Sequence, residues 1–234
     1  MNIRSLLVAV ILAVALSPAA GAQATPAKGP LRPLASNPHW FTDGTGRAVL
    51  LAGSHTWQNL QDNGLLMKGA TSDPPPVFDY EGYLATLERY HHNFFRLWRW
   101  ETTQWTDQAT SQERKFATPH PWVRSGPGTA NDGKPTFDLT QFNQAYFDRL
   151  RSRVDAARRK GMYVAVMLFE GWEHQFSDAW NNHPFHAPNN VNGVEADADG
   201  DGRGTEFNSL QESDAGRKVL ALQRTYVRRV IDTV

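Results

Sequence analysis

Apolar and polar residues alternate along the chain in two rhythms, and the switches between them mark its elements. Tyr83, Leu84, Leu87 and Tyr90 recur at three- and four-residue steps behind Asp79, whose carboxylate can cap free N–H groups, and this predicts a helix. Asn93-Phe94-Phe95-Arg96-Leu97-Trp98 follows almost at once, and so short an apolar run predicts a strand. The unit then recurs. Asp138 is expected to open a second helix carrying Phe142, Tyr146, Phe147, Leu150, Val154 and Ala157; Arg158-Arg159-Lys160 suits the negative end of its dipole, and Gly161 stops it. Met162 to Phe169 is the next strand. A third helix from about Asp214 carries Val219, Leu222, Tyr226, Val230 and Val234, and with no later strand to cover it this apolar face is expected to lie exposed. Upstream, Asn37 to Phe41 and Ala48 to Ala52 flank Thr42-Asp43-Gly44-Thr45-Gly46-Arg47, a reversal that predicts a hairpin whose second arm becomes a buried strand.

Nearly continuous apolar strands alternating with amphipathic helices indicate the α/β class, a parallel sheet covered by helices. Connections from helix to strand are minimal, near His92 and Gly161, whereas the strand-to-helix spans 54–78, 100–137 and 170–213 are long. In a barrel of βα units such loops lie beyond the strand C-termini, where sites are built, and here they hold most of the Trp, His and Gly. Three units cannot close an eight-stranded barrel of typically about 250 residues. The pattern therefore reads as an incomplete (β/α)8 TIM barrel, an N-terminal hairpin plus about three βα units over residues 37–234 of a longer protein. A complete small α/β domain is the alternative.

The start of the chain follows neither rhythm. Arg4 precedes an apolar run from Leu6 to Leu16 and then small residues, which predicts a secretory signal peptide over residues 1–22, cleaved after Ala22 or Ala24. The run is too short to cross about 30 Å of hydrocarbon, so an uncleaved anchor is the weaker alternative. Residues 23–36, rich in Ala, Pro and Gly, read as a flexible leader. The expected location is secreted or periplasmic, with no membrane contact after cleavage. Twenty-four Lys and Arg against 24 Asp and Glu leave no electrostatic footprint for nucleic acid. With no Cys, disulfides, thiol nucleophiles and Cys-ligated zinc are excluded.

Two stretches carry candidate chemistry. Glu170-Gly171-Trp172-Glu173-His174, with Glu101, places carboxylates and an aromatic beyond two strand ends. Carboxylates accept hydroxyl hydrogen bonds and Trp offers a flat apolar face, a composition that suits sugar or serves to organise loops. Trp98, Trp100, Trp105, Trp122, Trp172 and Trp180 carry the same two readings, stacking or anchoring. Asp197, Asp199 and Asp201 alternate ahead of Gly202, as in the first half of a calcium loop, although Asn208 stands where a bidentate Glu belongs. A structural calcium ion at those three residues and a solvated acidic turn both remain open.

Asn37-Pro38-His39-Trp40-Phe41-Thr42-Asp43-Gly44, Gly53-Ser54-His55-Thr56-Trp57, His92 to Trp98 and Tyr163 to Trp172 together resemble the opening half of secreted bacterial glycoside-hydrolase-type (β/α)8 barrels, the cellulase-like enzymes of the large retaining clan. The resemblance implies hydrolysis of O-glycosidic bonds in an oligo- or polysaccharide, with no cofactor required. It implies that Arg96 supports the catalytic carboxylates, although an Arg that merely pairs with Glu101 or Asp107 is the alternative. His55, Trp57, Trp98, Glu101, Glu170, Trp172, Glu173 and His174 would line the substrate cleft beside it. In that clan the acid/base lies in an Asn-Glu pair ending the fourth strand and the nucleophile is a Glu ending the seventh. No Asn-Glu occurs here, so the catalytic pair is expected beyond Val234 and this chain alone is expected to be inactive. The competing class is a noncatalytic, calcium-stabilised carbohydrate-binding or interaction module.

Overall fold

The structure is a computed structural model that describes residues 25–57, 59–67, 75–106, 113–176, 178–209 and 212–234. The expected signal peptide and Asp107 lie outside the described residues. Among those described, no helix is long and apolar enough to cross a membrane.

In chain order the elements are β1 (Arg32–Leu34), β2 (Asn37–Thr42), β3 (Asp62–Met67), α1 (Tyr80–Arg89), β4 (Phe94–Leu97), β5 (Gln104–Trp105), β6 (Glu113–Thr118), β7 (Trp122–Val123), β8 (Asp138–Phe142), α2 (Gln144–Arg159), β9 (Tyr163–Val166) and α3 (Asp214–Ile231). The fold is mixed α/β, with four small sheets among the described residues. One pair is parallel, β4 with β9, in the register Phe94 to Tyr163 through Leu97 to Val166. The others are antiparallel: β1 with β2, β7 with β8, and a three-stranded sheet in the order β3-β6-β5. No barrel closure is present among the described residues.

Two turns that end helices are built alike and explain the short helix-to-strand connections. After α2, Gly161 N–H donates to the Arg158 carbonyl and Met162 N–H to the Ala157 carbonyl, with Gly161 at φ 74°. After α1, His91 N–H donates to Glu88 and His92 N–H to Leu87, with His91 at φ 56°. Both are Schellman turns, in which a left-handed residue lets two orphan carbonyls be satisfied. His91 holds that conformation with a Cβ, at a cost of about 1 kcal/mol. His91→Gly should therefore raise the melting temperature by about 2–4 °C, read from thermal unfolding of both forms; an unchanged or lower value would show that His91 is unstrained.

The core lies between the parallel pair, the three helices and the long loops. Phe95 and Leu97 of β4 are buried against Leu84 and Leu87 of α1, Tyr146, Phe147 and Leu150 of α2, and Val219, Tyr226 and Val230 of α3. Asp79 caps α1 as expected, its side chain accepting from Gly82 N–H at 2.9 Å.

Several expectations are corrected. Asp138 does not open α2. It sits in β8, bonding Thr140 N–H, while Asn143, directly before the helix, accepts from Ala145 N–H and is the cap. Tyr90 is exposed, lying one residue past the end of α1 at its C-cap. The face of α3 is covered: Val219, Tyr226 and Val230 are buried in the core, with Tyr226 against Trp122 of β7 and Phe169 of the loop after β9, while Ile231 and, just past the helix, Val234 stay exposed. Residues 32–34, read as leader, form β1; their Arg and Pro carry no apolar rhythm to announce a strand.

The second hairpin arm, 48–52, is not a strand. A lone bridge joins Phe41 to Val49, and the segment is held instead by Asn93, whose side chain donates to the Leu50 carbonyl and accepts from Ala52 N–H, both at 2.9 Å. Gly53 then passes so close to β4 that a Cβ would lie 1.6 Å from the Phe94 carbonyl oxygen. The segment thus flanks β4 on the side opposite β9, in the place foreseen for a first strand.

Candidate functional site

The loops that leave β4 and β9 meet, and the buried amides of 59–61 hold them in place. Asn59 accepts from Trp98 N–H at 2.6 Å and donates to the Arg96 carbonyl at 2.7 Å; Gln61 accepts from Trp100 N–H at 2.6 Å. Side-chain amides thereby satisfy the backbone of Arg96, Trp98 and Trp100 along the end of β4 and the loop after it.

Glu101 and Glu173 are both fully buried. Glu101 accepts from Arg99 at 3.0 Å through one oxygen, and from Glu170 N–H (3.0 Å) and Gly171 N–H (3.2 Å) through the other. Glu173 in turn accepts from the backbone N–H groups of Glu101 and Thr102, so each loop's carboxylate binds the other loop's backbone. Glu170, half-buried at the rim, accepts from Trp172 N–H at 2.9 Å. Burial and the neighbouring Glu101 push the Glu170 carboxyl up to about 7, and burial, Glu170 and Glu101 push Glu173 well above the usual carboxylate range.

Over this carboxylate floor lies an aromatic layer. His55 stacks on Trp98, with centroids 5.7 Å apart and planes 7° from parallel. Trp57 touches Trp98, Trp100 and Trp172, 5.8 Å from the last. Trp57 is 52% exposed and Trp172 39%, whereas Trp100, Trp105, Trp122 and Trp180 are buried. Trp57 and Trp172 thus offer faces to solvent, and the buried four do not.

Of the expected cleft residues, the structure brings together His55, Trp57, Trp98, Glu101, Glu170, Trp172, Glu173 and His174. Arg96 stands apart. Phe95 and Leu97 point into the core, so strand alternation turns Arg96 to the opposite, open face, where it lines a cavity of about 400 Å³ with Ala165 to Phe169. Among the described residues it makes no ion pair, and the partner of Glu101 is Arg99. Arg99 is fully buried, donates to the Leu168 carbonyl at 2.9 Å and lies over the Trp122 and Tyr226 rings at 5.5 and 4.9 Å.

The acidic turn also departs from expectation. Asp197 accepts from Gly200 and Gly202 N–H, and Asp199 from Asp201 N–H. Asp201 turns away to Arg203 N–H at 2.8 Å, and Glu206 takes its place: oxygens of Asp197, Asp199 and Glu206 lie within 4.8 Å of one another. Sequence reasoning gave Glu206 no role because it precedes the motif's last ligand position by two. Nearby, Glu195 accepts from His186, Ala187 N–H and Asp197 N–H; burial opposes its charge, but these bonds hold it at about 2.

The chain is thus a mixed α/β protein with a site of carboxylates, imidazoles and tryptophans beyond the ends of two parallel strands. Residues 92–233 match the family described as a domain of unknown function (DUF6298), and the chain belongs to that family. The match contains β4, β9, α3 and every site residue named above except His55, Trp57 and the amides of 59–61. No curated protein and no solved structure matches the chain.

Proposed function

We propose that this is a secreted carbohydrate-active protein of the glycoside-hydrolase type, built on βα units of an incomplete TIM-type barrel, and that its loops beyond β4 and β9 bind an oligo- or polysaccharide. The carrying observation is the pair of half-exposed tryptophans, Trp57 and Trp172, with ring centroids 5.8 Å apart, beside the half-buried carboxylate of Glu170, which accepts from Trp172 N–H. Flat apolar faces beside a hydrogen-bond acceptor match the two surfaces of a pyranose, its C–H groups and its hydroxyls.

Hydrolysis needs two carboxylates flanking one bond. Glu101 and Glu173 are sealed from solvent, so of the three carboxylates only Glu170, half-buried and accepting from Trp172 and Glu173 N–H, reaches the surface where a sugar could meet it. The 234-residue chain is therefore expected to bind sugar and to release no product from a panel of aryl glycosides and polysaccharides. Robust hydrolysis lost in Glu170→Gln would overturn that division of roles. The same observation favours the noncatalytic binding-module reading for the chain as it stands, and the hydrolysis assay separates the two for any longer form.

Export and calcium belong to this proposal. N-terminal sequencing of exported material should begin at Gln23 or Thr25, consistent with cleavage after Ala22 or Ala24; material beginning at Met1 would contradict it. For calcium, a gain in melting temperature on adding the ion should vanish in Asp199→Ala, because binding to the native state stabilises by mass action. Equal melting with calcium and with chelator would leave a solvated acidic turn.

A further inference from the structure

We infer that Glu101, His174 and His183 form a binding site for one divalent transition-metal ion of the zinc class, which ties the loops after β4 and β9 to the segment around residue 183. Each residue offers a ligand atom, and these atoms lie within 4.8 Å of one another. All three residues are buried, at 0%, 3% and 0% exposure. The inference stands independently of the sugar-binding proposal, which rests on Trp57 and Trp172.

Two buried imidazoles and a carboxylate on three different segments form an unusual core component, because each brings polar atoms that must be satisfied. Nε2 of His174 and Nε2 of His183 are both buried without a hydrogen-bond partner. The other side of each ring is engaged. The Gly204 backbone bonds the His174 ring, the outer contact that commonly orients a metal-bound histidine. His183 is clamped between the stacked Trp180 ring at 4.5 Å and Phe207 at 4.8 Å. Glu101 keeps its Arg99 and backbone bonds, so its orientation is fixed before any ion arrives. Two nitrogens and one oxygen constitute a donor set for Zn²⁺ and its first-row neighbours rather than for calcium or magnesium.

One local bond must give way. Phe185 N–H donates to Nδ1 of His183 at 3.1 Å, which places the neutral ring's proton on Nε2. Coordination through Nε2 moves that proton to Nδ1 and exchanges this two-residue contact for a metal bond, with no net proton release from the ring.

The test uses the untagged full chain, stripped with chelator and titrated with Zn²⁺, and with Co²⁺ as a visible-absorption probe. One equivalent should bind with a micromolar or tighter Kd. His183→Gln and His174→Gln should each weaken it by about a hundredfold or more, a loss at least as large as removing an outer-shell partner. His39→Gln and His92→Gln should leave it unchanged. Failure of the wild type to bind overturns the inference, as does binding that survives the double His174→Gln, His183→Gln change or that disappears with His92→Gln. Should the buried variants not fold, X-ray absorption on the zinc-loaded wild type decides: two imidazole ligands support the site, and fewer than two refute it.

Discussion

Arg99→Ala is expected to lower stability by about 3–5 kcal/mol, because it strands the buried Glu101 carboxylate without its ion-pair partner. The same change removes a donor to the Leu168 carbonyl beyond β9 and the cation lying over Trp122 and Tyr226. Against a total stability of about 5–15 kcal/mol, that is a large share. Replacing both partners, Arg99→Met with Glu101→Gln, should recover much of the loss, since a buried pair replaced together is commonly near neutral. Urea unfolding of the three forms measures this. A loss below about 1 kcal/mol for Arg99→Ala would show that water reaches the pair.

Stability should also fall steeply as the solution is acidified, and His120 is a principal cause. Burial, then the cations of Arg99 and Arg124, hold its imidazole down to about 3, from an ordinary value of 6.5. The folded chain thus keeps His120 neutral while the unfolded chain takes up a proton below pH 6.5. Stability is therefore full above that pH and declines by at most about 1.4 kcal/mol per unit per group on the way down to about pH 3. Glu195 adds to the decline at the acid end, since its depressed carboxylate stabilises above about 4.5 and loses that contribution as pH falls toward 2. Its partial exposure limits the share to about 1–2 kcal/mol. His120→Gln should keep a donor for the Ala117 carbonyl, now 2.8 Å from the ring, and remove about one proton from the slope between pH 6.5 and 3. Denaturant melts across that range test it; an unchanged slope would place the acid sensitivity elsewhere.

Periodicity reveals much of this fold and little of its site. Leu84 and Leu87 in α1, Tyr146, Phe147 and Leu150 in α2, and Val219, Tyr226 and Val230 in α3 are buried where their spacing places them, and β4 and β9 lie within the expected apolar runs. What escapes that reading lies in the long loops. In the β3-β6-β5 sheet, β3 and β6 open on polar residues, Asp62-Asn63-Gly64 and Glu113-Arg114-Lys115, without strand alternation, and their pairing is set by distant partners rather than by their own pattern. Asn143 competes with Asp138 for the helix start, and five residues of strand decide between them.

For the site, composition singles out Glu101, Glu170, Trp172, Glu173 and His174, and the structure brings these five together beyond β4 and β9, with Glu101 and Glu173 bonded to the loop backbone. Arg99, the ion-pair partner of Glu101, is not singled out by the sequence, and strand parity explains why. Phe95 and Leu97 assign Arg96 to the open face, whereas Arg99 lies past the strand, where alternation no longer applies and its burial depends on α3 arriving over it. His183 has no signal in its neighbourhood; its role follows from Glu101 and His174, which are 82 and nine positions away.

The most direct measurement is binding of soluble oligosaccharides and polysaccharides to the purified chain, followed by tryptophan fluorescence and calorimetry, with Trp57→Ala and Trp172→Ala alongside. The proposal predicts saturable binding of at least one glycan class, a fluorescence change on saturation, and a loss of about tenfold or more in either variant, with folding retained because both rings are half-exposed. A folded wild-type chain that binds no glycan in the panel, or binding indifferent to both tryptophans, would contradict the assignment of this surface to carbohydrate.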